Sequence, residues 1–185
     1  MTTRFIDLCG ASAALRLRAA EILTESFTAI GIPAWPDLSS ARAELEQCCE
    51  DSQVLLGILV DGELAGWGGL QSMYDDFTWE LHPLVVSMNM QGRGAGSRLL
   101  AELEDRARSA GVQNIALGTD DEYRGTSIAD FDPATDDLGE AIRGIQNLKN
   151  HPFAFYQKQG YSIVGIMPHA SGRGKPDIIM WKSLR

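Results

Sequence analysis

The sequence predicts an α/β fold, a mixed β-sheet with helices on both faces, in a single domain spanning residues 1–185. Three observations lead there. Strand-like and helix-patterned stretches alternate along the chain. An Asp61-Gly62 pair separates two apolar runs, the signal of a tight hairpin. A glycine-rich turn, Gln91-Gly92-Arg93-Gly94-Ala95-Gly96, joins a buried-type strand to an amphipathic helix.

In order, Arg4 to Leu8 reads as a short strand. Ala11 to Ala29 reads as a helix with Leu15, Ala19, Ile22, Leu23 and Phe27 on one apolar stripe. Gly31 to Asp37, with Trp35 between Pro33 and Pro36, breaks it. Ser39 or Ser40 is expected to cap a second helix to about Glu50. Gln53 to Val60 and Glu63 to Tyr74 form the hairpin, the second strand weakened by Gly66, Gly68 and Gly69. After a short Tyr74–Phe77 loop, Trp79 to Met88 is rich in β-branched and large apolar residues. Pro83 within it has no N–H for a ladder, so it belongs at an edge or a bulge. The next helix, Ala95 to Ala110, carries Leu99, Leu100, Leu103 and Ala107 on one face and ends at Gly111. Asn114 to Gly118 is a fifth strand. Thr119 to Glu140 is a long acidic loop with Arg124 as its single basic residue. Ala141 to Lys149 reads as a helical turn or two. Asn150 is expected to cap a helix from Phe153 to Gln159, ending at Gly160. Tyr161 to Met167 and Asp177 to Lys182 are the last two strands.

Twenty-five acidic against 16 basic residues leave a net charge of −9, which argues against a nucleic-acid partner. The same charge suits a cationic substrate and equally a protein that is simply soluble. No apolar run approaches the ~20 residues of a membrane span, and the N-terminus lacks signal-peptide anatomy. A cytoplasmic protein with no membrane partner is expected. Cys9, Cys48 and Cys49 form no C-x-x-C pair and the three histidines are scattered, so reduced thiols and no metal site are expected.

A glycine-rich turn at a helix N-terminus offers free N–H donors and the positive end of the helix dipole, which suits a phosphate or pyrophosphate. A Walker loop would end in Gly-Lys-Ser/Thr, where Gly96-Ser97-Arg98 stands instead. The dinucleotide fingerprint fails because Ser97 takes its third glycine position. The run fits Gln/Arg-x-x-Gly-x-Gly/Ala and resembles the acetyl-CoA pyrophosphate loop of the GNAT superfamily of N-acetyltransferases. Phe155 to Tyr161 resembles that superfamily's helix-to-strand segment near the thioester. Trp79 to Val86, Leu117 to Asp121, and Ile145 to Leu148 followed by His151-Pro152 and Phe155-Tyr156 look like aminoglycoside 6'-N-acetyltransferases. Lys175 to Ile178 belongs to the same likeness. The resemblance covers roughly Tyr74 to the C-terminus, and the N-terminal third matches in general pattern only.

The resemblance implies a GNAT fold, mostly antiparallel, whose fourth strand is bulged and splays from the fifth. It implies acetyl-CoA as co-substrate, no metal, a homodimer, and acetylation of the 6'-amine of an aminoglycoside, giving antibiotic resistance. Another polyamine, an amino sugar or a protein amine stays open as acceptor, as does a silent acyl-CoA-binding module. By the same resemblance, Leu84, Val85 and Val86 meet the pantetheine, and Gln91, Asn147 and Tyr156 also serve the cofactor. The amides of Gly92, Arg93, Gly94, Ala95, Gly96 and Ser97 hold its pyrophosphate. Arg93 or Arg98 adds charge there or is an ordinary surface residue. The Leu84 amide is the candidate donor to the carbonyl oxygen. An alkylammonium, for which lysine at ~10.4 is a guide, must lose a proton before attack. Glu80 and His82, with the Leu84 position, share one face of their strand by period 2. Glu80 takes that proton, directly or through water, or holds the ammonium by charge. His82 orients Glu80 or the substrate, and the alternative is that both simply face solvent. Tyr156 returns a proton to the thiolate or only packs. Trp35, Tyr74, Asp120 and Asp121 complete the acceptor-side candidates, although a loop tryptophan such as Trp35 is more often packing than ligand contact, and Asp130 to Asp137 are read as solvated loop.

Overall fold

The computed structural model describes residues 2–32 and 34–185. Pro33, one of the two prolines expected to break the first helix, lies outside the described residues. The elements in order are β1 (Thr3–Asp7), α1 (Ala13–Ala29), α2 (Leu38–Asp51), β2 (Ser52–Val60), β3 (Glu63–Met73), β4 (Thr78–Val86), a 3-10 turn (Met88–Met90), α3 (Ala95–Ser109), β5 (Asn114–Asp120), α4 (Leu138–Arg143), α5 (Phe153–Lys158), β6 (Ser162–Met167) and β7 (Asp177–Ser183). The strand order is β1-β2-β3-β4-β5-β7-β6. Two compact units make up the chain: Met1–Ile115 with Leu184–Arg185, and Ala116–Ser183.

In the first unit, β1 to β4 form successive antiparallel ladders. Asp61 and Gly62 have φ of 50° and 92°, the sign that a two-residue turn between right-twisted strands requires. The start of β5 lies beside the start of β4: Gln113 N donates to Phe77 O at 3.1 Å and Asn114 Nδ2 to Thr78 Oγ1 at 3.4 Å. Those two strands therefore begin parallel, and the sheet is mixed. Asp37, rather than Ser39 or Ser40, caps α2. Its carboxylate accepts from Ser40 N at 2.8 Å, and Ser40 Oγ accepts from Asp37 N at 3.3 Å, a closed capping box.

Helices cover both faces of these strands. On one, Ala19, Ile22 and Leu23 of α1 and Ala41, Leu45 and Cys48 of α2 form a core with Leu55, Trp67 and Val85. Trp67 is fully buried, and its Nε1 donates to Ala19 O at 2.9 Å, which satisfies its polar atom. On the other face α3 buries Leu99, Leu100, Leu103 and Ala107, the stripe expected from the sequence. Gly111 follows it with φ 90°, as a C-terminal cap.

In the second unit, β6 and β7 are antiparallel, with Met167 opposite Asp177. Helix α4 begins at Leu138, before the expected Ala141, because Asp137 caps it by accepting from Glu140 N at 2.8 Å. Asn150 is not the cap of α5. It takes φ 55°, which asparagine tolerates, and Pro152 occupies the cap position. The acidic loop is organised by its own carboxylates: Asp130 pairs with Arg124, Asp132 accepts from Ala134 N, and Asp136 accepts from Asp132 N.

Candidate active site

β4 carries the first part of the site, and a bulge shapes it. Leu81 pairs with Leu70 and Leu84 with Gly68, so three steps along β4 match two along β3. The extra residue falls at His82-Pro83, and Pro83, with no N–H to give, lies where the ladder is interrupted, as expected. Gly69 stands opposite: a Cβ there would lie 2.8 Å from His82 O. The β3 glycines, read from sequence as a weakness, let the bulged backbone approach.

The bulge corrects the expected facing of Leu84. Glu80 pairs with Gln71, and Gln71 shares a face with Gly69 and Trp67, the α1 and α2 side. Leu84 pairs with Gly68, on the opposite face, where its Cδ1 lies near Leu103 of α3. One inserted residue flips the parity, so Glu80 and Leu84 do not share a face. The Leu84 amide, the part of the residue assigned to the chemistry, still follows directly on the bulge.

On the α2 side, the His82 ring meets a residue that the sequence reading missed. Its Nε2 lies 3.1 Å from Glu44 Oε1. Trp35 Nε1 donates to Glu44 Oε2 at 3.1 Å, and Cys48 Sγ donates to Oε1 at 3.5 Å. Burial, with Glu44 beside it, pushes the Cys48 thiol up, so it keeps its proton and acts as donor. Side-chain atoms of Glu44, Cys48 and His82 that could ligate a metal all lie within 4.8 Å of one another. A signal for Glu44 exists in the sequence: Ala41, Glu44, Leu45 and Cys48 stand at i, i+3, i+4 and i+7, which puts a carboxylate on the buried stripe of α2. Trp35 also packs edge-on against Phe27, with ring centroids 4.6 Å apart. Glu80 is half-buried, and among the described residues no hydrogen bond or ion pair engages its carboxylate. Tyr74 is in the β3–β4 turn, 76% exposed, with no such tie to Glu80 or His82.

The glycine turn enters α3 with φ of 71° at Gly92 and 81° at Gly94, the latter at the N-cap. A Cβ at either would meet nothing within 4 Å, so glycine is needed there for backbone sign and not for space. Among the described residues, none of the amides of Gly92, Arg93, Gly94, Ala95, Gly96 and Ser97 donates to a protein acceptor. Such an arrangement suits an anion. Arg93 is exposed and, with Arg18 and Asn89, lines a cavity of about 610 Å³. Arg98 donates through Nε to Gly94 O of the turn at 3.4 Å and through Nη1 to Thr3 Oγ1 at 2.7 Å. Val85 is buried in the α1–α2 core. The Val86 carbonyl already accepts from Gln91 Nε2 at 3.1 Å and Ser26 Oγ at 3.4 Å. Through that bond the Gln91 side chain ties the glycine turn to the end of β4.

The second unit holds the remaining candidates. Asp120 ends β5 with an exposed carboxylate that accepts from Ser171 Oγ at 3.0 Å. Asp121 is 0% exposed, and accepts from Gly125 N at 2.5 Å, Thr126 N at 2.9 Å and Thr126 Oγ1 at 2.7 Å. Its oxygens serve the loop, so it offers no carboxylate to an acceptor. Asn147 donates to His151 O at 2.8 Å and accepts from His151 N at 2.7 Å, which fixes the turn before α5. His151 is buried. Its Nε2 donates to Asp120 O at 3.1 Å, its Nδ1 accepts from Phe153 N at 3.3 Å, and burial holds the ring below the ordinary histidine range. Tyr156 is buried against Phe155 and Tyr161, and desolvation raises its phenol, so it is protonated at neutral pH.

Known proteins share this architecture. The acetyltransferase (GNAT) family pattern matches residues 17–130. N-alpha-acetyltransferase RimI of Mycobacterium tuberculosis is 32% identical over 107 residues, 57% of this chain, and the chain spans 63% of that relative's length. Among solved structures, an aminoglycoside 6'-N-acetyltransferase complexed with coenzyme A aligns over 100% of this chain and 98% of its own, at 33% identity and TM-score 0.87. The aminoglycoside 6'-N-acetyltransferase from Enterococcus faecium aligns over the same shares, at 33% identity and TM-score 0.86. With the family pattern running through α1 to β5 and into the loop beyond, the chain belongs to the GNAT family of acetyltransferases.

Proposed function

We propose that the protein transfers the acetyl group of acetyl-CoA to the 6'-amine of an aminoglycoside. The observation that carries this reading is the full-length likeness to the two aminoglycoside 6'-N-acetyltransferases. The local geometry supports it part by part. Free amides from Gly92 to Ser97 suit the pyrophosphate. The Glu80 carboxylate, half-buried and without a partner among the described residues, suits an ammonium group.

Acetyl-CoA supplies the thioester, at which a C–N bond forms as the C–S bond breaks. Glu80 draws in the ammonium and accepts its proton, directly or through water, since only the free amine attacks. His82 aligns the amine. The Leu84 amide, just past the bulge, donates to the carbonyl oxygen as charge builds on it. Tyr156, kept protonated by burial, gives its proton to the departing sulfur and is restored by the second proton that the nitrogen loses on becoming an amide. Asp120 adds an exposed carboxylate for further amines of a polycation. Both compact units are parts of one domain in this reading, and the enzyme works in the cytoplasm as a homodimer. Among the described residues no helix is long and apolar enough to cross a membrane.

The likeness to RimI favours a second reading, in which the acceptor is the α-amine of a protein. Mass spectrometry of products from a matched panel separates the two. Aminoglycosides with a 6'-amine are expected to gain one acetyl group there, and those with a 6'-hydroxyl are not acetylated at that position. Product from α-amino peptides alone would transfer the assignment to a protein amine. No product from any amine would leave an acyl-CoA-binding module.

A further inference from the structure

We infer that Glu44 is the positioning residue for His82, fixing which ring nitrogen faces the acceptor. The inference rests on the acceptor-side role proposed for His82. The bulge creates the need: the β3–β4 ladder passes from Leu81 to Leu84 and gives His82 no partner on β3. Its side chain is 43% exposed, so packing alone does not hold the ring. Glu44 reaches it from α2, 38 residues earlier, at 3.1 Å. A carboxylate can only accept, so Nε2 carries the hydrogen and, in the neutral ring, the lone pair is on Nδ1. Nδ1 is then the nitrogen available to the acceptor amine.

Glu44 is itself held at both ends. Trp35 Nε1 fixes Oε2, and Cys48 Sγ, one turn along the same helix, shares Oε1 with His82. Trp35 is in turn braced edge-on by Phe27. The line Phe27, Trp35, Glu44, His82 joins the core of α1 to the bulge within the first unit. Trp35 therefore acts on the acceptor side through Glu44, and needs no contact with the substrate to do so.

The test uses Glu44→Gln, Trp35→Phe and His82→Ala in the full chain, singly and as Glu44→Gln and Trp35→Phe each with His82→Ala. Imidazole 15N spectra read the His82 tautomer without any activity. The Nε2–H form is expected in the parent, with a mixture of tautomers in Glu44→Gln. In kinetics, Glu44→Gln is expected to lower kcat/KM for the amine about tenfold in the parent and to change it less than about twofold beside His82→Ala, the non-additivity of groups acting as one unit. Trp35→Phe, which keeps a ring but removes the Nε1 donor, should move in the same direction by less, again only when His82 is present. Equal losses with and without His82 would overturn the inference and make Glu44 a fold element of α2. An Nδ1–H ring in the parent would overturn it too. If no amine is acetylated by the parent, the functional reading fails, and the spectra still decide whether Glu44 sets the ring. Should Glu44→Gln not fold, Trp35→Phe carries the same comparison.

Discussion

Gly68 stands directly opposite Leu84, and a Cβ on it would lie 2.9 Å from both Leu84 Cδ1 and the Pro83 carbonyl oxygen. A methyl group there displaces either the bulged backbone or the leucine. Gly68→Ala is expected to cost about 1–3 kcal/mol, the usual penalty for overpacking. Because the bulge must shift to relieve it, turnover should fall in the fraction that stays folded. Urea unfolding and turnover on one preparation check this. Unchanged stability together with unchanged turnover would mean that the close approach of β3 to the bulge is unimportant.

The glycine loop gives a prediction that isolates charge from backbone strain. Gly94 is left-handed at φ 81° with open space around the missing side chain. Asparagine tolerates that conformation and adds no charge, whereas aspartate has nearly the same shape and places an anion beside the amides. Gly94→Asp should weaken acetyl-CoA binding strongly, and Gly94→Asn only modestly. Calorimetry with both folded variants reads the difference. Equal affinities would detach the pyrophosphate from this loop.

Neighbouring carboxylates at the end of β5 should respond in opposite ways. Asp121 accepts three hydrogen bonds out of reach of solvent, and its replacement by alanine orphans the amides of Gly125 and Thr126. An unsatisfied buried donor costs about 1–3 kcal/mol, so Asp121→Ala should lower the melting temperature clearly. Asp120 is exposed, and Asp120→Asn should leave the melting temperature nearly unchanged while raising KM for a polycationic acceptor. A stable Asp121→Ala protein would contradict the structural role assigned to that carboxylate.

His151 should leave a mark on stability against pH. Burial lowers its pKa in the folded chain, while the unfolded chain keeps a value near ~6.5. As pH falls, the unfolded state takes up this proton first. The contribution of the neutral ring is therefore fully present above about 6.5 and is lost as pH falls from there to the folded value. Urea midpoints measured stepwise from neutral to mildly acidic pH should decline. His151→Gln should be less stable at neutral pH yet decline less steeply across that window. Parallel curves would assign the acid sensitivity to other groups.

What could be read in the sequence was local. Gly92 and Gly94 before an apolar stripe specify a turn and a helix with no reference to the rest of the chain, and Pro83 in a strand specifies an interruption. Whatever depended on a distant partner could not be read. Counting by twos put Leu84 beside Glu80, because the count has no place for the residue that the bulge inserts. Asp120 and Asp121 are adjacent and chemically identical, and only the return of the chain at Gly125 and Thr126 buries one of them. Glu44 stood visibly on the buried stripe of α2, yet nothing short of the packing of α2 over β4 names His82 as its partner.

Glu80 carries the most direct prediction. It is half-buried beside the bulge, and no described residue engages its carboxylate. Glu80→Gln keeps the shape and hydrogen-bonding reach but removes the charge and most of the basicity. If Glu80 receives or relays the ammonium proton, the rate at saturating substrate should fall by the ~10²–10⁴-fold typical of general acid–base catalysis. Affinity for acetyl-CoA should barely move, because the contacts proposed for its pyrophosphate are backbone amides of the glycine loop. A purely electrostatic anchor would instead raise KM for the amine and preserve the rate at saturation. Rate against pH at saturating substrate, compared between the two proteins, discriminates the roles. Superimposable profiles with equal maximal rates would remove Glu80 from the proton transfer and leave the Nδ1 of His82, the exposed Asp120 or a chain of waters to accept the proton.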